Sequence, residues 1–289
     1  MSIATQIERL QNAKESIKQK LIEKGVEVSD DVKLDQYGEL IETIPSGGGE
    51  NTLKKLLDTT KSCARLFANY TGSSVDDLIK YNDTENVKTF DYMFDTCYNA
   101  ISFPLINTSK GTSMKYMFNY CVNAQTLPDI DTSSTTTYEY TYCQCLSLKH
   151  LQRRNTNKVT NWTSAFRQCQ LLETIDISAF KNMSSTYASQ TWSYCYSLKA
   201  LIIRSLGTSY AIHSNTFQNC HHILGTSHST YNPNGDKDGY IYVPRNMVDT
   251  LKSATNWSVY ADQIRALEDY TVDGTTTGDL DMDKVNGVN

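Results

Sequence analysis

Hydrophobic positions recur along the middle of the chain with a period of about 24 residues. Six cysteines mark it: Cys97, Cys121, Cys145 and Cys169 lie 24 apart (121 − 97), and Cys195 and Cys220 follow after 26 (195 − 169) and 25 (220 − 195). We number each repeat from its cysteine, position 0. Positions −7, −4, −3 and 0 are mostly apolar or small, as in Phe90, Met93, Phe94 and Cys97. This spacing is typical of one face of a helix and predicts about two helical turns in each repeat.

A second apolar pattern follows the cysteine at positions +3 and +6, as in Leu172 and Ile175. The segments 173–177 and 199–203 have the composition of short strands. A unit with one short helix and one short strand cannot bury a face alone, so stacked neighbours must supply its core. The sequence therefore predicts an α/β solenoid of about six repeats, each of 24–26 residues.

The repeat motif resembles that of a known family. Phe-x-x-Cys-x-x-Leu-x-x-Leu, with segments such as 127–133 and 159–162, is similar to the BspA-like leucine-rich repeats over roughly residues 63–245. These repeats occur in bacterial surface proteins and in bacteriophage virion proteins. The resemblance implies a leucine-rich-repeat-type fold and a binding role, and it leaves the partner open.

Residues 1–45 have a different pattern and are predicted to form a small helical module. Ile3, Ile7, Leu10, Ile17 and Leu21 follow a heptad-like spacing. A second short helix is expected over 34–41. The segment resembles the helical leader of phage tail and minor structural proteins, which implies attachment or oligomerisation. A helical cap without a virion role is the alternative.

The remaining boundaries follow from composition. Residues 46–50 are a glycine-rich linker, and 51–245 are the solenoid, beginning with a degenerate repeat in which Tyr70 replaces the cysteine. After a last strand at 240–244, residues 246–270 are expected to form a cap of two helices, 247–254 and 260–267. Residues 271–289 are predicted to be a mobile acidic tail.

Charge and hydropathy narrow the function classes. The net charge of −5 argues against sequence-independent binding of nucleic acid. No run of 18 apolar residues occurs, so membrane insertion is not expected. The first residues have no basic start and no apolar stretch, so we expect synthesis in a cytoplasm without a secretory signal.

The candidate chemical motifs favour binding over catalysis. The six periodic cysteines are expected to be buried, reduced thiols, because equivalent positions stack in the interior; whether Cys63 and Cys143 pair stays open. Cys220, His221 and His222 lack the paired spacing of a zinc site, and the acidic tail lacks the glycine of a calcium loop. No nucleophile, phosphate-loop or metalloprotease motif occurs, which predicts a non-enzyme without metal or cofactor.

Tyrosine is the most informative residue type, with 19 in the chain. Positions −5, −1 and +1 combine tyrosine with small polar residues, a composition typical of binding surfaces. The predicted binding surface comprises Tyr92, Tyr116, Tyr120, Tyr140, Tyr194 and Tyr196. Packing over the next repeat is the alternative role for position −5. A rival surface on the strand side is expected to present His150, Gln152, Thr174 and Asp176 outward.

These observations predict a tail-associated phage virion protein for receptor recognition or adhesion. The solenoid would bind a host cell-surface protein or glycan, and residues 1–45 would bind other virion proteins or a second copy of the chain. A purely structural tail or capsid decoration protein is the alternative, and a bacterial cell-surface adhesin is a third possibility.

Overall fold

The computed structural model describes residues 52–76, 78–181, 185–272 and 275–276, together with 17–19, 21 and 28. The chain divides into two compact units, Met1–Thr52 and Leu53–Asn289. In the first unit, residues 17–19 and 21 are helical and Leu21 is buried. The rest of the predicted leader and the linker lie outside the described residues.

The regular elements form a mixed α/β structure with few helices. From residue 52 onward, the helices of the described part are α1 (Thr52–Thr60), α2 (His221–Leu224) and α3 (Val248–Ser253). The strands are β1 (Thr174–Ile177), β2 (Ala200–Ile203), β3 (Tyr240–Val243), β4 (Ile264–Ala266), β5 (Thr271–Val272) and β6 (Thr275–Thr276). Short 3₁₀ helices occupy Tyr81–Thr84, Ser185–Ala188, Arg245–Met247, Ser258–Gln263 and Leu267–Asp269. No helix of the described part is long and apolar enough to cross a membrane.

The prediction of a helix in each repeat is wrong, because positions −7 to 0 form overlapping β-turns instead. The Met93 amide donates to the Phe90 carbonyl, three residues back, at 3.1 Å. The intervening amides point away from their own turn: Tyr92 donates to the Lys115 carbonyl of the next repeat at 2.8 Å. An α-helix would direct every amide to a carbonyl four residues back, which leaves none for a neighbouring repeat.

The turns depend on left-handed backbone at positions −5 and −1. The φ angles there lie between 54° and 65° at Arg65, Asn69, Tyr92, Thr96, Tyr116, Tyr120, Tyr140, Gln144, Ser164, Gln168, Gln190, Tyr194 and Asn219. This conformation at every fourth residue returns positions −7, −4, −3 and 0 to the same side of the chain. The pattern of buried residues was therefore predicted correctly although the backbone was not.

The core is a row of side chains from successive repeats. Phe90, Met93, Phe94 and Cys97 are fully buried, as are the residues at the same positions in the next four repeats. His213, at position −7 of the last repeat, is exposed instead. At position −3 the rings stack, with centroids 5.5 Å apart for Phe94–Phe118 and 6.0 Å apart for Phe118–Tyr142. The Phe67 amide donates to the Met93 carbonyl at 2.9 Å, which confirms Tyr70 as the counterpart of the cysteines.

The cysteines form a row of thiols beside these rings. Each thiol at position 0 donates to the carbonyl at position −3 of the preceding repeat, as in Cys121 to Phe94 at 3.2 Å and Cys169 to Tyr142 at 3.1 Å. All eight cysteines are buried and unpaired, including Cys63 and Cys143. The prediction of buried free thiols is confirmed, and burial raises the pKa of Cys143 to about 11 and of Cys220 to about 12.

The strands β1, β2, β3 and β4 form a parallel sheet in that order, which does not close into a barrel. Ile175 pairs with Leu201, Leu201 with Ile241, and Ile241 with Ile264. The strands predicted at 173–177 and 199–203 are confirmed. The expectation of one strand in every repeat is wrong within the described residues. Pro104 and Pro128 occupy position +7 in earlier repeats, and proline has no amide to donate to a ladder.

The C-terminal part differs from the predicted pair of cap helices. α3 lies within the first predicted helix, but the second region contains a 3₁₀ helix followed by β4, so β3 is not the last strand. Trp257 is fully buried and donates from its indole nitrogen to the Tyr210 carbonyl at 2.8 Å. β5 and β6 form an antiparallel pair where a mobile tail was expected. Residues 277–289 lie outside the described part.

Candidate functional site

The backbone of the turns places one side chain of each repeat at the same point on the surface. The amides of Tyr92, Tyr116 and Tyr140 donate to the residue at position −6 of the next repeat, at 2.8, 3.0 and 2.9 Å. Because this register is constant, the three side chains lie directly above one another. Position −5 of the first repeat is Arg65, which has the same left-handed conformation.

These residues form what we call the tyrosine column: Arg65, Tyr92, Tyr116 and Tyr140. The rings of Tyr92 and Tyr116 are 4.7 Å apart at 9°, and those of Tyr116 and Tyr140 are 4.5 Å apart at 7°. The Arg65 guanidinium covers the free face of Tyr92 at 4.1 Å from its centroid. Among the described residues no ring or cation stacks on the far face of Tyr140, where position −5 of the next repeat is Ser164.

The three tyrosines of the column are half-buried, whereas Arg65 is exposed. Burial raises the pKa of Tyr116 well above its usual value. Lys115 pairs with Glu139 at 2.8 Å beside the column, and this hydrogen bond raises the pKa of Lys115. The three hydroxyls make no hydrogen bond with described residues. The column therefore presents ring edges and hydroxyl groups, whereas most ring faces are occupied by neighbouring rings.

Tyr120, Tyr194 and Tyr196 do not continue the column. Tyr120 packs edge-on against Tyr98 with centroids 6.2 Å apart, and both rings are exposed. Tyr194 packs against Tyr196 at 6.2 Å, under the Arg167 guanidinium. The expectation that Tyr120 and Tyr194 lengthen one row is therefore wrong, because glutamine occupies position −1 in the two repeats between them.

A second aromatic cluster surrounds Tyr196 and was missed by the sequence analysis. The ring of Tyr196 lies 5.1 Å from both His221 and His228 and 4.9 Å from Tyr231. Burial lowers the pKa of His221. The loop that carries His228 and Tyr231 is held by Asn232, whose side-chain amide donates to the Asp236 carbonyl at 2.9 Å.

That loop had a signal in the sequence. Strand β1 begins five residues after Cys169 (174 − 169), but strand β3 begins 20 residues after Cys220 (240 − 220). The extra length marks an insertion, and ordered insertions often carry function. His222 beside it is buried with Nδ1 2.5 Å from Asp238 Oδ1 and Nε2 3.0 Å from the Tyr231 carbonyl.

The rival strand-side surface is only partly as expected. His150 is exposed, and Gln152 and Thr174 are half-buried. The expectation that Asp176 faces outward is wrong: its carboxylate is buried and accepts three hydrogen bonds from Arg204, at 2.9, 3.2 and 2.8 Å. The partner stands 28 residues along the chain, one repeat further, so the spacing of apolar residues gave no sign of this pair.

The repeat region is also recognised by comparison with known families. A family described as Mycoplasma protein of unknown function, DUF285, matches residues 61–180 and 112–226, which together cover more than half of the 289 residues. The chain belongs to this family. The match supports a BspA-like repeat protein. No curated protein matches the chain.

The DUF285 matches include the whole tyrosine column and all six periodic cysteines. Residues 1–60 and 227–289, which include β3 and β4, lie outside them. Within the described residues, no three histidine, cysteine, aspartate or glutamate side chains are grouped so that they could hold a metal ion. The geometry around the column therefore offers stacking, ring edges and hydroxyl groups.

Proposed function

We propose that this chain is a recognition protein that binds a cell-surface ligand through the tyrosine column. The observation that carries the proposal is the continuous column of one arginine and three tyrosines at a surface position. Tyrosine is energetically unfavourable there, because left-handed backbone favours glycine and asparagine. Rigid rings with exposed edges and hydroxyls provide contact area at little entropic cost.

We further propose that the repeats stack as a leucine-rich-repeat-type solenoid. The regular hydrogen bonds that the turns donate to the following repeat, from Cys63 to Tyr194, support this arrangement. A solenoid presents equivalent residues side by side, which suits a protein that binds an extended partner. The partner in this proposal is a host protein or glycan.

The setting of this activity is proposed to be a phage tail. Support comes from the resemblance of residues 1–45 to virion leaders, and the leader would attach the chain to other virion proteins. The alternative is a purely structural tail or decoration protein. One observation favours it: the rings of the column stack face to face on each other. In that case the column would stabilise the repeats and bind nothing.

The test compares binding of the purified protein and its variants to a glycan array and to a panel of intact bacterial cells. The variant Tyr92→Phe/Tyr116→Phe/Tyr140→Phe keeps the stacked rings and removes the hydroxyl groups. We expect it to lose about 30-fold or more in affinity for the ligand of the wild type, roughly 2 kcal/mol, as at a binding hot spot.

The matched control is Tyr81→Phe/Tyr98→Phe/Tyr187→Phe, which removes three hydroxyls from exposed tyrosines outside the column. It should bind like the wild type. Equal binding by all three proteins would support the structural alternative and reject the proposed role of the column.

A further inference from the structure

Two backbone hydrogen bonds after the cysteine join some neighbouring repeats but not others. Ser147 and Lys149 donate to Val122 and Gln125 at 3.2 and 3.1 Å. These bonds join the repeats of Cys121 and Cys145. In the same way Ser197 and Lys199, in the repeat of Cys195, donate to Gln170 and Glu173, in the repeat of Cys169, at 3.1 and 2.9 Å. Between these two pairs lies the step from the repeat of Cys145 to that of Cys169, where the equivalent amides are those of Leu171 and Glu173.

At that intermediate step the two bonds are not formed within the described part of the chain. Among the described residues, neither the Leu171 nor the Glu173 amide donates to another residue, and the facing carbonyls of Leu146 and Lys149 accept no bond. The two segments are brought together only further on, where the Arg154 amide donates to the Asp176 carbonyl at 3.2 Å. The segments therefore splay apart at one end and meet at the other.

A cleft of about 340 Å³ opens at this splayed end. Leu151 and Leu171 supply its apolar lining, and Lys149, His150, Glu173 and Ser197 supply polar groups. The volume lies at the lower end of the range of small-molecule sites, which combine apolar walls with a few polar groups. The cleft shares no residue with the tyrosine column.

The chemistry of the lining selects one class of ligand. Lys149 and Glu173 carry opposite charges, so their net charge is zero and a neutral ligand is favoured. The cleft offers both donors and acceptors, from peptide groups as well as from side chains. Hydroxyl groups can satisfy both kinds, since each donates and accepts. The two leucines match the C–H face of a ring.

We propose that this cleft binds a neutral, polyhydroxylated ligand of the size of a single sugar ring. Its hydroxyls take the places of the missing ladder bonds, donating to the Lys149 carbonyl and accepting from the Glu173 amide. The Glu173 carboxylate and the Lys149 ammonium group bind further hydroxyls at the rim. This site is independent of the function proposed for the column.

Another step between repeats provides a comparison within the same molecule. The repeats of Cys97 and Cys121 also lack the two bonds in the described structure. Position +4 there is Ile101 and Gln125, where the proposed site has Lys149 and Glu173. An open ladder without the charged pair is thus available as a control.

Saturation-transfer NMR on the full chain tests the proposal. The probes are the methyl glycosides of glucose, galactose, mannose and N-acetylglucosamine, with glycine as a zwitterionic probe of similar polarity. We expect at least one glycoside to bind and its affinity to fall tenfold or more in both Glu173→Gln and Lys149→Gln. Gln125→Ala, at the comparison step, and the phenylalanine variant of the column should bind that glycoside like the wild type.

Each outcome of these measurements either supports or overturns the proposal. The proposal is overturned if no glycoside binds, if binding survives in both cleft variants, or if glycine binds more tightly than every glycoside. Lys149 and Glu173 are both exposed, so these variants should keep the circular dichroism of the wild type. His150→Ala, also at an exposed position, repeats the test with a third side chain: a loss of affinity supports the proposal and an unchanged affinity counts against it.

Discussion

Single residues in left-handed conformation determine the path of every repeat. A residue with a Cβ atom in this region costs roughly 1–2 kcal/mol relative to ordinary backbone. Each such residue except Asn219, which lies in the last repeat, also donates its amide to the next repeat, as Gln144 does to Arg167 at 2.7 Å. The bonds between repeats offset the local strain, so the sequence can use tyrosine, glutamine and serine where glycine would be cheapest.

Relief of this strain is testable at Gln144, which has φ 61° and is half-buried. Gln144→Gly should raise the free energy of unfolding by about 1 kcal/mol, because glycine adopts this conformation without strain. Urea denaturation followed by circular dichroism measures the change. The control Lys158→Gly, at an exposed position without left-handed backbone, should destabilise the protein or leave it unchanged. Destabilisation by both variants to the same degree would refute the strain argument.

The spacing of apolar residues predicted which side chains are buried better than it predicted the conformation of the backbone. Both a helix and a chain of alternating turns bring Phe94 and Cys97 to one side, so the pattern alone could not distinguish them. Asn69 and Asn219 at position −1 were the available sign, since asparagine favours left-handed backbone. The stacking of Tyr92, Tyr116 and Tyr140 could be predicted because equal positions superpose, whereas the burial of Asp176 depends on Arg204 in another repeat.

At the scale of elements, each repeat is held by the aromatic ring at position −3. Phe118 is fully buried between Phe94 and Tyr142 and also meets Phe103 edge-on at 5.4 Å. These neighbours belong to the two repeats on either side of its own. Loss of this one ring therefore affects the contacts on both sides of its own repeat.

Phe118→Ala should lower the free energy of unfolding by about 3–5 kcal/mol, because it leaves a cavity in a close-packed core. Chemical denaturation at neutral pH measures the loss. Tyr98→Ala, which removes an exposed ring, should cost less than about 1 kcal/mol. A loss below about 1 kcal/mol for Phe118→Ala would mean that the repeat relaxes to fill the space.

At the scale of the whole molecule, the buried thiols make the free energy of unfolding fall as the pH becomes alkaline. Burial raises the pKa of Cys63 and Cys220 to about 12 and of Cys143 to about 11, from the ordinary value of 9.0. Between pH 9 and these values the unfolded chain loses thiol protons that the folded chain keeps. The stabilisation is therefore complete below pH 9 and is lost as the pH rises to 12.

The free energy of unfolding, measured by urea denaturation at pH 7, 9 and 10.5, should show this decline. It should fall less steeply with pH in Cys143→Ala. The folded protein at pH 8 should also resist iodoacetamide, and all eight thiols should react after unfolding, since ionised and accessible sulfur is required. Rapid alkylation of the folded protein would show that the row of thiols is open to solvent.

The hydrogen bonds between repeats give the molecule an electrical direction. The peptide unit of Lys115 and Tyr116 accepts from Tyr92 through its oxygen and donates to Glu139 through its nitrogen. The same peptide units in the next two repeats do likewise, so their dipoles add head to tail, as they do along an α-helix. Two further chains of this kind run beside it through positions −3 and −1. The row of repeats thus has a negative pole towards its first repeat and a positive pole towards its last, so anions are attracted to one end and cations to the other.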